Sequence, residues 1–374
     1  MPGYHPERPY NDLPLLPPSV DLETKPVLKA CVAARAALAE LRLAGQLIPD
    51  QTVLINTIPV LEAKASSEIE AIVTTNDALF REASLAEGAD PATKEALRYR
   101  SALYHGLAAI RSRPLSTNIA VEICSILKDR KFDVRSVPGT TLQNALTGEV
   151  IYIPPQGEPL LRDLLANWER FHHDGSDLDP LVKMAVLHYQ FEAIHPFTDG
   201  NGRTGRILNL LVLIERGLLD LPTLYLSRHI LKTKADYYRL IQGVTARGEW
   251  EAWLVYMLTA VATTSQWTTG KIRAIRTQMD AAIDHVRGGA PKIYTRELLD
   301  AVFAQPYCRI SNLVERGVAK RQTASVYLKA LADLGVVVEE KVGRDKVFIN
   351  RPFLDLLSSD DHLPRPYPRQ TPGN

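Results

Sequence analysis

The densest chemistry in the sequence is the stretch HPFTDGNGRTGR, residues 195–206. It lies between two segments of helical apolar periodicity, so it is expected to be a loop joining two helices. Gly200, Gly202 and Gly205 would take positive φ there and let the backbone approach a ligand. Backbone N–H groups of such a loop, followed at once by a helix N-terminus, make an anion nest whose natural guest is phosphate. Arg203 and Arg206 supply planar, permanently charged forks for phosphate oxygens, and Asn201 an amide donor. Asp199 is a hard oxygen ligand suited to the Mg2+ that accompanies a triphosphate. His195 is the one group in the stretch with a pKa suited to taking a proton near neutral pH. A glycine-rich turn carrying solvated charges is the bland alternative. A base, a metal-type carboxylate, an amide and two arginines in so short a run outweigh it. The Walker pattern G-x-x-x-x-G-K-(S/T) is absent, so the phosphate grip is of another type.

The elements that must position this stretch read as mostly helical. Apolar spacing of three and four residues predicts helices over 26–45, 50–72 with Pro59 as a kink, 91–111, 116–128, 158–172, 178–194, 205–216, 227–247 and 249–286. Between Phe132 and Pro155 the period changes to a short hairpin, 140–153, ending in alternating Val150, Ile151, Tyr152 and Ile153. A Gly/Pro break at 285–293 marks a domain boundary. Beyond it, helices near 295–304, 311–316 and 320–334 precede a two-stranded ribbon with a basic tip at Gly343 and Arg344, which is winged-helix geometry. Six prolines within the first eighteen residues predict an extended arm lying on or off the body.

The chain has 374 residues, 45% hydrophobic and 23% charged, with a net charge of +1, which excludes a long disordered chain and a uniformly basic nucleic-acid coat. The charge is uneven. Residues 287–351 carry 12 basic and 7 acidic side chains, a local +5, which leaves about −4 elsewhere. No apolar run is long enough for a membrane span or a signal peptide. Cys31, Cys124 and Cys308 are odd in number and far apart, so reduced, buried thiols in a cytoplasmic protein are expected.

The stretch 195–206 resembles the Fic family motif H-x-F-x-(D/E)-G-N-G-R-x-x-R, matching it at His195, Phe197, Asp199, Gly200, Asn201, Gly202, Arg203 and Arg206. The preceding HYQFEAI, the hairpin and the N-terminal helices are similar to that family too. The resemblance implies a mainly α fold: a Fic-type helical bundle with a small β-hairpin flap, plus a C-terminal winged-helix domain. The implied organisation is a Pro-rich arm at 1–25, an N-terminal helical extension at 26–112, a catalytic core at 113–286, a winged helix at 290–355 and a flexible tail at 356–374.

The implied activity is transfer of AMP from ATP to a Tyr, Thr or Ser hydroxyl of a target protein. His195 would be the base, and Asp199 the holder of Mg2+. Gly200, Asn201, Gly202, Arg203, Thr204, Gly205 and Arg206 would form the nucleotide site, with Tyr238 against the adenine. Glycine at 202, where a phosphorylating branch carries lysine, favours AMP transfer. The run Ser66 to Glu70 resembles the inhibitory motif (S/T)-x-x-x-E-(G/N), with Ser66 and Glu70 in place and Ala71 departing from it. Glu70 would then pair with Arg206 and compete with the γ-phosphate. The 140–153 hairpin would align the target by strand addition, and a homodimer fits the resemblance.

Two alternatives stay open: removal of AMP at the same site, and a nucleotide-sensing transcription regulator binding DNA, or a protein partner, through the winged helix. Phe197 is expected to be a core anchor and His188 a satisfied core histidine. One tyrosine of the pair Tyr237 and Tyr238 is expected in the core. His172 and His173 are expected in a solvated turn.

Overall fold

Helix α1 (Lys25–Gln46) buries Val27, Cys31, Ala34, Leu38 and Leu41, a spacing of four, three, four, three that lays one stripe along the long helix α11 (Trp250–Gly289). Ala37, Ala44 and Gly45 are buried on the same helix, and their small side chains let the two backbones run close. The structure is a computed structural model of the chain, and residues 4–85, 89–143, 148–342 and 345–367 are described. The turn of the 140–153 hairpin and the ribbon tip at Gly343 and Arg344 lie partly or wholly outside them.

The N-terminal helices continue with α2 (Thr52–Ile69), α3 (Asn76–Leu85) and α4 (Pro91–Ile110), the last capped by Asp90, which accepts from Thr93 N at 3.0 Å. The bundle is completed by α5 (Thr117–Lys128), α6 (Glu158–His173), α7 (Pro180–Ile194), α8 (Asn201–Glu215), α9 (Leu226–Lys232) and α10 (Lys234–Arg247). Helices α7 and α8 are buried around nearly their whole circumference and form the centre against which the others pack. Strands β1 (Leu142–Gln143) and β2 (Val150–Tyr152) pair antiparallel, Leu142 opposite Tyr152.

After α11 come α12 (Arg296–Phe303), β3 (Tyr307–Arg309), α13 (Ile310–Glu315), α14 (Arg321–Asp333), β4 (Val338–Val342), β5 (Asp345–Ile349) and α15 (Arg351–Ser358). The antiparallel sheet has the order β3-β5-β4, so the C-terminal segment carries three strands where the sequence predicts a two-stranded ribbon. It is tied to the bundle by Arg316 with Asp50 at 2.7 Å and by the Tyr307 hydroxyl donating to Asp77 at 2.7 Å.

Several expectations are corrected. Residues 356–367 are not a loose tail. They complete α15 and fold back on α11, where the buried Lys271 Nζ donates to the carbonyls of Leu356, Ser359 and Asp361 at 2.7, 2.8 and 2.6 Å. Of the two placements left open for the N-terminal arm, it takes the one on the body: Tyr10, Leu13, Leu16 and Leu22 are buried, and Asn167 bonds both the N–H and the C=O of Leu16. The helix expected over 227–247 divides at Thr233, α11 runs on to Gly289, and α3 and α15 have no counterpart in the sequence reading. All three cysteines are free and buried. Among the described residues no helix is long and apolar enough to cross a membrane.

Candidate active site

His195 ends α7 in a left-handed conformation (φ 50°, ψ 60°), its N–H bonded to Phe191 O, so the chain turns sharply out of the helix there. Phe197 is fully buried against Phe132 and Phe191 and pins the loop below. Asn201 closes it: Oδ1 accepts from Phe197 N and Nδ2 donates to Phe197 O, both at 2.8 Å. Its amide therefore shapes the loop. One Nδ2 proton is used in this clamp, and the second is the donor that the sequence reading offers to phosphate.

The stretch is also less of a loop than its glycines suggest. Helix α8 begins at Asn201, and of the three glycines only Gly200, at φ 84°, takes positive φ. Gly202 and Gly205 are helical, and glycine serves there for space instead. A Cβ on Gly202 would lie 2.4 Å from Glu70 Oε1 and 2.9 Å from Arg206 Nη1, and one on Gly205 2.5 Å from Glu192 Oε1. The first helical bond of α8 is Thr204 N to Gly200 O, so the N–H groups of residues 201–203 precede it and face the helix mouth.

Around that mouth stands a relay of charge. Asp199, its side chain 52% exposed, meets Lys128 at 2.7 Å; Lys128 also meets Glu95 at 3.0 Å, and Glu95 meets Arg203 at 2.9 Å. Partial burial works against charge on Asp199, but the Lys128 ammonium overcomes it and holds the carboxyl below its ordinary range. Arg135 from the hairpin region donates through Nε to His195 O at 2.8 Å, and its Nη2 donates to Pro155 O. The Tyr152 hydroxyl donates to Ala193 O at 2.7 Å, so β2 is fastened beside His195. Burial, with the nearby Arg135 charge, pushes the His195 imidazole down to about 4. It is a neutral base at physiological pH.

Arg206 is 1% exposed and held from α2. Nε donates to Ser66 Oγ at 2.8 Å, and Nη2 to Ser66 O at 3.0 Å and to Glu70 Oε1 at 2.8 Å. Burial disfavours charge on Glu70, yet Arg206, then Arg203, outweigh it and keep the carboxyl below its usual range. Glu70 ends α2, and the next residue, Ala71, sits at φ 62°. That conformation is the physical reason a glycine or asparagine is usual at this position. Lys234 Nζ donates to Ile69 O at 2.6 Å and secures the same helix end.

Tyr237 is buried and paired with His188 Nε2 at 2.8 Å, while Tyr238 is 44% exposed, so the tyrosine pair divides between core and opening. His188 lies in the core, stacked on Trp253, and burial beside Arg206 pushes it down to about 3. His172 and His173 end α6 instead of forming a turn, and of the two only His173 is exposed as expected. His172 is fully buried on Glu215, and His173 bonds Leu115 O at 2.7 Å. These three side chains are metal-type donors within 4.8 Å of one another, but each already bonds protein, and they fasten the far end of α8. Lys128, Glu95, Arg135, Lys234 and Glu192 are the site residues that sequence reasoning missed. None stands in a recognisable spacing, and only tertiary packing brings them in: α4, α5 and α7 against α8, the segment after α5 onto His195, and α10 onto the end of α2.

The chain matches the family described as "Fic/DOC family N-terminal" over residues 28–108, "Fic/DOC family" over 114–213 and "Protein adenylyltransferase SoFic-like, C-terminal domain" over 278–353. It is 45% identical over 67 residues to a probable protein adenylyltransferase of Aquifex aeolicus, covering 18% of this chain and 20% of that protein. It is 35% identical over 92 residues to the protein adenylyltransferase Fic of Nematostella vectensis, covering 24% of this chain and 20% of that protein. The chain thus spans about a fifth of the length of these curated relatives. A Fic family protein from Desulfovibrio desulfuricans superposes with a TM-score of 0.55 at 20% identity, over 87% of this chain and 96% of that one, which establishes the shared fold. With its motif, its helical bundle and three matched segments along its length, the chain belongs to the Fic family.

Proposed function

We propose that the protein is an adenylyltransferase that moves AMP from ATP to a Tyr, Thr or Ser hydroxyl of a target protein, restrained by Glu70. The observation that carries this reading is a neutral, clamped His195 at the mouth of α8, with the buried cation Arg206 one further turn into the same helix. His195 takes the hydroxyl proton, and the oxygen attacks the α-phosphorus. A new O–P bond forms as the α–β anhydride bond breaks and pyrophosphate leaves. The free N–H groups at the start of α8 stabilise charge on the α-phosphate. Arg203 and Arg206 grip the terminal phosphates, and the open Tyr238 ring receives adenine. Glu70 must leave Arg206 before the γ-phosphate can settle.

Asp199 fits Mg2+: it is a half-exposed, ionised carboxylate at the phosphate end, and one such ligand suffices for an ion that arrives on phosphates. When bound, Mg2+ supplies neutralisation of phosphate charge. The target segment is aligned along the β1-β2 edge, next to His195. For the tail, DNA is the favoured partner. The outward face of α14 exposes Arg321, Gln322, Thr323, Val326 and Lys329, and a recess of about 650 Å³ beside it is lined by Arg309, Arg321 and Lys346. A salt-dependent DNA titration tests this. The resemblance suggests a homodimer, and three unpaired thiols suit a reducing, cytoplasmic compartment.

The activity is tested with ATP labelled at the α-phosphate and a cell lysate. Wild type should label protein and His195→Ala should not. Label passing from the γ-phosphate instead would overturn AMP transfer.

A further inference from the structure

Glu192 lies on α7, one turn before His195, and takes no part in the chemistry described above. It is one of two positions in that helix, with Pro180, that are not buried, so protons reach it from solvent. Its Oε1, however, is buried without a hydrogen-bond partner. That oxygen occupies the space left by the missing side chain of Gly205, where a Cβ would approach it to 2.5 Å. Gly205 immediately precedes Arg206, and Glu192 and Glu70 both act electrostatically on that guanidinium, from α7 and α2 respectively. An unpartnered buried carboxylate oxygen costs free energy when charged, and the nearby guanidinium offers the counter-charge.

We propose that Glu192 is a positioning residue for the triphosphate: protonated, it leaves Arg206 to the nucleotide, and ionised, it competes for that guanidinium. The proposal rests on the reading of Arg206 as a phosphate grip. Burial raises the Glu192 carboxyl, Arg206 pulls it back only in part and Glu70 adds to the rise, leaving it at about 7. The other groups around it do not titrate near there. Glu70 is held ionised, Tyr237 and Tyr238 are kept as neutral phenols, and His188 and His195 are pushed down to about 3 and about 4. Glu192 is therefore the group of this cluster that changes charge between pH 6 and 8. A triphosphate in place of Glu70 carries at least as much negative charge, so nucleotide binding draws a proton onto Glu192. Affinity must then fall as pH rises.

The test is ATP affinity of the full-length protein by calorimetry at pH 6, 7 and 8, wild type beside Glu192→Gln. The glutamine keeps the size and cannot ionise, and the titration of ATP itself is common to both proteins. Relative to Glu192→Gln, wild-type affinity should match at pH 6 and be about tenfold weaker at pH 8. Carbon NMR of the glutamate carboxyls in nucleotide-free protein should show one titration near neutrality that the variant lacks. Parallel affinity profiles for the two proteins would overturn the proposal. No ATP binding by either protein at any pH would overturn the phosphate reading of Arg206, and this proposal with it.

Discussion

Replacing Ala71 with glycine should tighten the restraint that Glu70 places on Arg206. Ala71 follows Glu70 at φ 62°, in a turn closed by Ala71 N to Glu68 O and Ile72 N to Ser67 O, both at 3.0 Å. A side chain with a Cβ pays about 1 kcal/mol in this region, where glycine pays nothing. Ala71 is exposed, so its methyl group contributes no packing that the change would forfeit. The greater freedom of glycine in open chain returns part of the gain, leaving about 0.5–1 kcal/mol in favour of the closed turn. If the turn must loosen for Glu70 to withdraw, the open population falls about two- to fivefold. The assay is the initial rate of α-label incorporation at subsaturating ATP, with melting temperature measured in parallel. Ala71→Gly should label about two- to fivefold more slowly and melt about 1 °C higher. Faster labelling would refute the reasoning. A raised melting point with unchanged labelling would refute it too, since Glu70 would then leave by side-chain rotation alone.

Glu70→Gly removes the carboxylate from Arg206 and should raise labelling by about tenfold or more, the worth of a charge-assisted hydrogen bond; an unchanged rate sinks the restraint. Because His195 must be neutral to act and its imidazole is pushed down to about 4, activity should hold as pH falls until about pH 5 and drop below it. An acid limb at the ordinary histidine value would place the base elsewhere. Lys271→Met strips three backbone carbonyls of their shared donor. It should cost about 3 kcal/mol and speed hydrogen exchange over 359–367. Unaltered protection there would show that the segment is held by other contacts.

What could be read before folding was a set of residue types at fixed spacing. The motif names its own chemistry because a base, a carboxylate, glycines and arginines fall close together in sequence, and Ser66 and Glu70 are likewise a local pattern. The helix boundaries near the site were less legible. Gly202, Thr204 and Gly205 look like loop residues, yet they are helical, and the glycines serve for their lack of volume: Gly202 beside Glu70 and Arg206, Gly205 against α7. Asn201 reads as a ligand donor, and its second task as a loop clamp was hidden because it depends on where the Phe197 backbone lies. His172 and His173 read as solvated because two adjacent histidines are polar. Glu215, forty-three residues away, gives His172 a buried partner.

The sequence by itself determined the kind of chemistry available, the mostly helical architecture and the separate basic tail, because periodicity, spacing and charge are properties of neighbours along the chain. Tertiary structure alone decided who faces whom. It set Glu95 and Lys128 between Asp199 and Arg203, drew Arg135 onto His195, and brought the charges of Glu70 and Glu192 to bear on one buried guanidinium. Each of those partnerships joins helices far apart in sequence, and burial then gives it effect. Lowered dielectric turns an ordinary imidazole into a neutral base and an ordinary carboxyl into one that titrates near neutrality.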